Sequence, residues 1–340
     1  MRTLVVSDFH LGARLQRDVL RRVELLETLL RAVDDVERLV LLGDILELLE
    51  GRPRQVMAAA EPVLRALGKR LGDEREVVVV PGNHDAALVR PWLRARADTL
   101  SVDTRIPLNA TRALAQMASW LEPAQVRVQY PGIWLSDGVW ATHGHYLDRH
   151  LLPESAFGIA RGLLGRLPRD GAAPVDYERA GGPSLTRVEA FLTRWLPRPL
   201  AVLTEDAAEL LRAATMPDPR LLLSHRFAPL TAMVLGAQMR RASIPALGRV
   251  VHRLGVEADW VVFGHVHRCG PLTGDDPQEW TGPGGRPRTV NTGSWVYEPL
   301  LLHRAAPPHP YWPGGAVLLE EGGEPRALGL LDRVEASALD

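Results

Sequence analysis

Side chains able to hold a metal recur along the chain in short, evenly built blocks. Asp8-Phe9-His10 opens the series, Gly43-Asp44 and Gly82-Asn83-His84-Asp85 follow, and His143-Gly144-His145 and Gly264-His265-Val266-His267 close it. In an extended segment, residues i and i+2 point to the same side, so each D-x-H or H-x-H pair can reach one cation together. Taken singly, Asp8-Phe9-His10 also suits a surface turn, and Asp44 also suits a helix cap. Gly82 to Asp85 is more specific. Its glycine permits a tight turn, Asn83 offers a neutral oxygen, His84 can give or take a proton, and Asp85 is placed to fix the His84 tautomer. Paired histidines after successive apolar runs are poorly explained as core residues, because each gives up apolar packing for no structural gain.

The elements that must position these blocks are legible in the apolar pattern. Short β-rich runs precede every block: Thr3 to Ser7, Leu39 to Leu42, Val77 to Val80, Val139 to Thr142 and Trp260 to Phe263. Arg17 to Val36 and Gln55 to Leu71 carry helical spacing between the first three. Strand, helix, strand, helix, strand predicts an α/β arrangement with a largely parallel sheet over the first ninety residues. Ile133 to Ser136 and Val139 to Thr142, joined by Asp137-Gly138, predict a hairpin. Further β pattern runs through Thr289 to Trp295 and Ala316 to Leu319.

Residues 146–258 read differently. Helical patterns cover Leu151 to Leu167, Leu185 to Leu196, Ala207 to Ala214 and Leu221 to Val251, with Pro168 to Pro183 as a Gly- and Pro-rich loop. The expected organisation is therefore a core of residues 1–145 and 259–340 interrupted by a helical insertion, 146–258. It leaves and rejoins the core beside the His143 and His265 blocks, where a substrate cap would sit.

Composition narrows the partners. With 46% hydrophobic residues, 24% charged residues and a net charge of −1, the chain is an ordinary globular protein with no overall field to attract nucleic acid or an anionic membrane. Cys269 is its only cysteine, which excludes an internal disulfide and a thiolate metal site. The start of the chain is too short in apolar residues for a signal-peptide core, and no apolar run reaches the ~20 residues of a spanning helix. The expected location is the cytoplasm, with peripheral membrane contact through the insertion.

Together and in this order, the five blocks resemble the calcineurin-like metallophosphoesterase superfamily. The resemblance runs from the N-terminus to about Trp295 and skips the insertion. It implies a four-layer αββα sandwich of two mixed sheets, with two metals held at the strand ends. One would be held by Asp8, His10, Asp44 and His267, the other by Asp44, Asn83, His143 and His265, with Asp44 bridging. By the same resemblance His84 is no ligand; it either protonates the leaving oxygen or stabilises the charged transition state. His145 is left as either a supporting donor, a substrate contact or a solvent-facing loop residue, and Asn291 to Ser294 as either an ordinary turn or a substrate contact.

The chemistry follows from the donor set. Two divalent cations ~3.5–4 Å apart supply a hydroxide near neutral pH and clamp phosphoryl oxygens, with no Ser or Cys nucleophile required. Oxygen plus imidazole suits Mn²⁺, Fe²⁺, Zn²⁺ or Co²⁺, with manganese favoured here. The expected activity is hydrolysis of a phosphate monoester, diester or pyrophosphate on a small or lipid-linked substrate. A helical cap at this position is similar to that of UDP-diacylglucosamine pyrophosphatase-type members, which resemble Asn-Arg-Asp where this chain has Asn83-His84-Asp85. Two rival expectations are a nuclease, which would need a basic stripe beside the metals, and a noncatalytic scaffold that binds a partner through the insertion.

Overall fold

The computed structural model describes residues 1–13, 17–49, 51–96, 100–150, 168–179, 243–298, 302 and 305–339. Eleven strands among them form two sheets. The first has the order β11-β10-β1-β2-β3-β5-β4, built from β1 (Thr3–Val6), β2 (Arg38–Leu41), β3 (Glu76–Val79), β4 (Thr104–Ile106), β5 (Gln125–Tyr130), β10 (Gly315–Leu319) and β11 (Arg326–Gly329). Its middle four strands, β1, β2, β3 and β5, are parallel, while β4, β10 and β11 are antiparallel additions at its two edges. The second has the order β6-β7-β8-β9: β6 (Gly132–Ser136) turns back on β7 (Val139–Thr142), and β8 (Trp260–Phe263) and β9 (Arg288–Asn291) run parallel to β7.

Alternation along the strands shows how the layers pack. Val5, Val40, Leu42, Val78 and Val80 from one sheet meet Ile133, Leu135, Val139, Ala141, Val262 and Val290 from the other in a single apolar cluster. Their neighbours Leu4, Val6, Leu39, Leu41, Val77 and Val79 point the opposite way, into a second cluster with the helices. Each of these strands therefore buries both faces, and this explains why they are nearly continuous apolar runs. Helices α1 (Val23–Ala32), α2 (Pro53–Leu71) and α4 (Arg112–Trp120) pack outside the first sheet through residues such as Leu25, Leu29, Val63, Leu67 and Met117. A short α3 (Arg90–Ala95) follows the third metal-motif loop. On the second sheet, Trp140, Val261 and Phe263 share a cluster with Leu247, Val250 and Val251 of the helix over 243–253, α6. The α/β sandwich of two mixed sheets with flanking helices is as expected.

Most of the insertion lies outside the described residues, including the expected helices Leu185 to Leu196 and Ala207 to Ala214. Besides residues 146–150 at its start, two of its parts are described. The helix over 243–253 matches the end of the expected Leu221 to Val251 pattern. Inside the stretch read as a loop, Pro174–Arg179 forms a helical turn, α5. Val175 and Tyr177 are buried on it, which gives that turn an apolar anchor the Gly and Pro content had masked.

Candidate metal centre

Every motif block begins where a strand ends. β1 runs into Ser7-Asp8, β2 into Gly43-Asp44, β3 into Gly82-Asn83, β7 into His143 and β8 into Gly264-His265. These are the carboxyl ends of parallel strands, the edge at which α/β sheets present their sites. Three glycines let the loops converge. A β-carbon on Gly43 would fall 2.3 Å from His143 Nδ1, one on Gly82 2.3 Å from Asp44 Oδ1, and one on Gly264 2.6 Å from Asp8 Oδ2.

The loops bring the sequence-predicted residues into two adjoining groups. Asp8, His10 and His267 offer ligand atoms that all lie within 4.8 Å of one another, and so do Asp44, His143 and His265. In the first group, His10 Nε2 is 3.2 Å from His267 Nε2, and His267 Nε2 is 3.2 Å from Asp8 Oδ1. In the second, His143 Nε2 is 3.0 Å from Asp44 Oδ2 and 3.2 Å from Asn83 Oδ1. The same Asp44 oxygen is 4.0 Å from His10 Nε2, so this carboxylate stands between the groups.

The residues fit cations on their own chemistry. Asp8 Oδ1 is buried and has no hydrogen bond, while Oδ2 accepts from Ser7 Oγ and from the His265 amide. Two imidazole nitrogens facing each other at 3.2 Å also suit a shared electrophile better than each other. The backbone points the same way. Among the described residues, Asp8, His10, Asp44, His265 and His267 are the non-glycine residues with left-handed φ, between 47° and 69°. Such conformations are costly for side-chain-bearing residues and gather at functional sites.

Charge is concentrated here as well. Burial opposes ionisation of Asp8, Asp44 and Glu47, yet the surrounding histidines hold all three carboxyls below their usual range. Burial likewise opposes protonation of His84 and His143, but Glu47 and Asp44 push His84 up to about 9, and Asp44 pushes His143 up to about 9. Without metal, protons on these rings are the counter-charge for the carboxylates.

Glu47, absent from the expected site residues, is central to the arrangement. It is buried, and its carboxylate contacts His10 Nδ1 at 2.7 Å and His84 Nδ1 at 2.8 Å. Its sequence signal is the spacing Gly-Asp-x-x-Glu, hidden in the apolar run Ile45 to Leu49. This corrects the expected role of Asp85. Asp85 accepts instead from the amides of Ile45 and Gly82, at 2.9 and 2.6 Å, and so ties the second loop to the third.

Other candidates resolve into supporting contacts. Asn291 Nδ2 donates to the Gly264 carbonyl at 2.8 Å, and Thr292 Oγ1 lies 2.6 Å from Ser7 Oγ, so this strand end braces the ligand loops. His145 Nε2 lies 3.2 Å from the Tyr130 hydroxyl; burial and the neighbouring His143 and His265 hold its ring down to about 3.

The calcineurin-like phosphoesterase family matches residues 1–269, which takes in every block of the site. The chain belongs to the calcineurin-like phosphoesterases. As a calcineurin-like phosphoesterase it is a hydrolase of phosphoester bonds from a dinuclear metal class, acting on phosphate substrates. No match is found among curated proteins. Among solved structures, the cold-active protein-tyrosine phosphatase of a psychrophile, Shewanella sp., is similar at 17% identity and TM-score 0.31, over 96% of this chain and 80% of that one. A mutant of a cold-active protein tyrosine phosphatase is similar at 16% identity and TM-score 0.30, with the same coverage. Likeness of that degree says nothing of the substrate.

Proposed function

We propose that this phosphoesterase hydrolyses a phosphate monoester, diester or pyrophosphate, with His84 protonating the leaving oxygen. The observation that carries this reading is the meeting of both ligand groups at Asp44, with His84 held beside them by Glu47. Asp8, His10, Asp44 and His267 would hold one cation, and Asp44, Asn83, His143 and His265 the other. When bound, divalent cations of this kind supply Lewis acidity to phosphoryl oxygens and acidify a water into a nucleophile.

The chain's own residues do the rest. Glu47 accepts a hydrogen bond from His84 Nδ1–H and so orients the ring. The His84 side chain is 21% exposed, in contrast to the fully buried His143, so its second nitrogen is the one within reach of a departing oxygen. The His84 amide also donates to Asp44 Oδ1 at 2.8 Å, which fixes its distance from the carboxylate that stands between the two groups.

Manganese is the proposed native metal, and phosphodiesters are the first substrates to test. The proposed location is cytoplasmic, with peripheral membrane contact through residues 146–258. No helix among the described residues is long and apolar enough to cross a membrane.

The test is a Mn²⁺-reconstituted screen over p-nitrophenyl phosphate, bis-p-nitrophenyl phosphate, mononucleotides, cyclic nucleotides, nucleotide-sugars and lipid pyrophosphates. His84→Ala should lower kcat by ~10²–10⁴ with metal content at the wild-type level. Equal loss of metal and activity would make His84 a ligand instead. Metal-loaded protein that hydrolyses neither nitrophenyl ester would favour the scaffold.

A further inference from the structure

Asp148 lies outside the ligand blocks, yet its Oδ1 is 3.0 Å from Nε2 of His265. The neighbouring histidines show what such a contact achieves. His10 has Nδ1 held by Glu47 at 2.7 Å, and its Nε2 turns to Asp8 and His267. His143 donates Nδ1–H to the Leu42 carbonyl at 2.9 Å, and its Nε2 turns to Asp44. In both rings an oxygen fixes one nitrogen as the donor, which leaves the lone pair on the nitrogen that faces the carboxylates. That is the general way a protein sets which imidazole atom binds metal.

We propose that Asp148 is the positioning residue for His265. It accepts Nε2–H and leaves the Nδ1 lone pair for the cation shared with Asp44, Asn83 and His143. The inference rests on the dinuclear reading above.

The placement of Asp148 adds a consequence. It sits in the 3-10 turn His145–Arg149, at the start of the insertion. That turn is braced from α5: Tyr146 stacks on Tyr177 with ring centroids 4.6 Å apart, and its hydroxyl donates to Glu178 at 2.8 Å. Tyr130, at the end of β5, donates to the same carboxylate. His150, just past the turn, contacts the Tyr177 hydroxyl at 2.8 Å. Through Asp148, the insertion thereby supports one metal position and not the other.

Mn²⁺ binding to the full chain, followed by metal analysis and electron paramagnetic resonance, tests this without reference to turnover. Asp148→Ala should weaken one of two sites by ~10–100-fold and leave the other unchanged. At a Mn²⁺ concentration that saturates the wild type, the spin-coupled pair signal should give way to that of a single ion. Asp148→Asn keeps an acceptor oxygen and should lose less. The proposal is overturned if Asp148→Ala keeps both affinities and the coupled signal, or if both sites weaken equally. Wild-type protein that binds fewer than two Mn²⁺ ions would overturn the dinuclear reading itself, and the inference with it.

Discussion

Asp85 offers the most direct test of how the ligand loops are held. Its carboxylate is fully buried and accepts from two backbone amides, Gly82 at 2.6 Å and Ile45 at 2.9 Å. Gly82 precedes Asn83 and Ile45 follows Asp44, so one side chain joins the loops that present two of the proposed ligands. Asp85→Ala leaves both amides without an acceptor. At ~1–3 kcal/mol for each buried unpaired donor, the loss is about 2–6 kcal/mol, out of a total stability on the order of 5–15 kcal/mol. The lower half of that range is expected. Burial, with the Asp44 charge, pushes the Asp85 carboxyl up to about 6, so the variant also sheds the cost of a buried acid. Asp85→Asn keeps one acceptor and turns an NH₂ toward the other amide, which predicts about half the loss. Urea unfolding of EDTA-treated proteins would measure the order wild type, Asp85→Asn, Asp85→Ala, free of any metal contribution. Metal analysis of the native proteins should show reduced occupancy in Asp85→Ala. An Asp85→Ala protein with the wild-type urea midpoint would refute the reasoning, because it would mean that the two amides find other acceptors.

Two further outcomes follow from the same loops. Gly82→Ala puts a β-carbon 2.3 Å from Asp44 Oδ1 and 2.6 Å from His143 Cδ2, so it should lower metal occupancy and activity together; full occupancy by metal analysis would count against the close approach. The metal-free protein should lose stability from about pH 6.5 upward. His84 and His143, raised from 6.5 to about 9, contribute stability that is complete below 6.5 and lost as pH rises through 9. Bound cations replace those protons, so thermal midpoints of the loaded protein should stay nearly flat over that window. An EDTA-treated protein equally flat from pH 6.5 to 9 would contradict this.

The sequence was most legible where one physical demand dominated. Strands β1, β2, β3, β7 and β8 are buried on both faces, so they stand out as apolar runs, and the motif blocks follow their ends. Strand β5 carries no apolar run, because Gln125, Arg127 and Gln129 alternate with Val126, Val128 and Tyr130, and only its alternation marks it. Three-residue β4 is too short to carry a pattern, and the edge strand β11 exposes much of Arg326–Gly329. In the site, the types of the proposed ligands were legible but their supports were not. Glu47 sits in an apolar run, and Asp148 is one of several polar residues after His143. What distinguishes each is a single contact across the fold, and no local pattern encodes it.

The left-handed backbone at Asp8, His10, Asp44, His265 and His267 explains why those supports are needed. Each such residue gives up on the order of 1–2 kcal/mol relative to an ordinary conformation. The loops must therefore be held by contacts that do not depend on metal. The Asp8 amide donates to the Gly43 carbonyl at 3.0 Å, the His10 amide to the Asp44 carbonyl at 2.9 Å, and the Trp295 amide to the Asp8 carbonyl at 3.0 Å. Asn291 holds the Gly264 carbonyl, and Asp85 holds the Ile45 and Gly82 amides. These bonds join loops from both sheets, so the strain at the ligands is distributed over the edge of the sandwich. A cation entering the proposed site would find its donors already turned inward, the cost of arranging them having been met by folding.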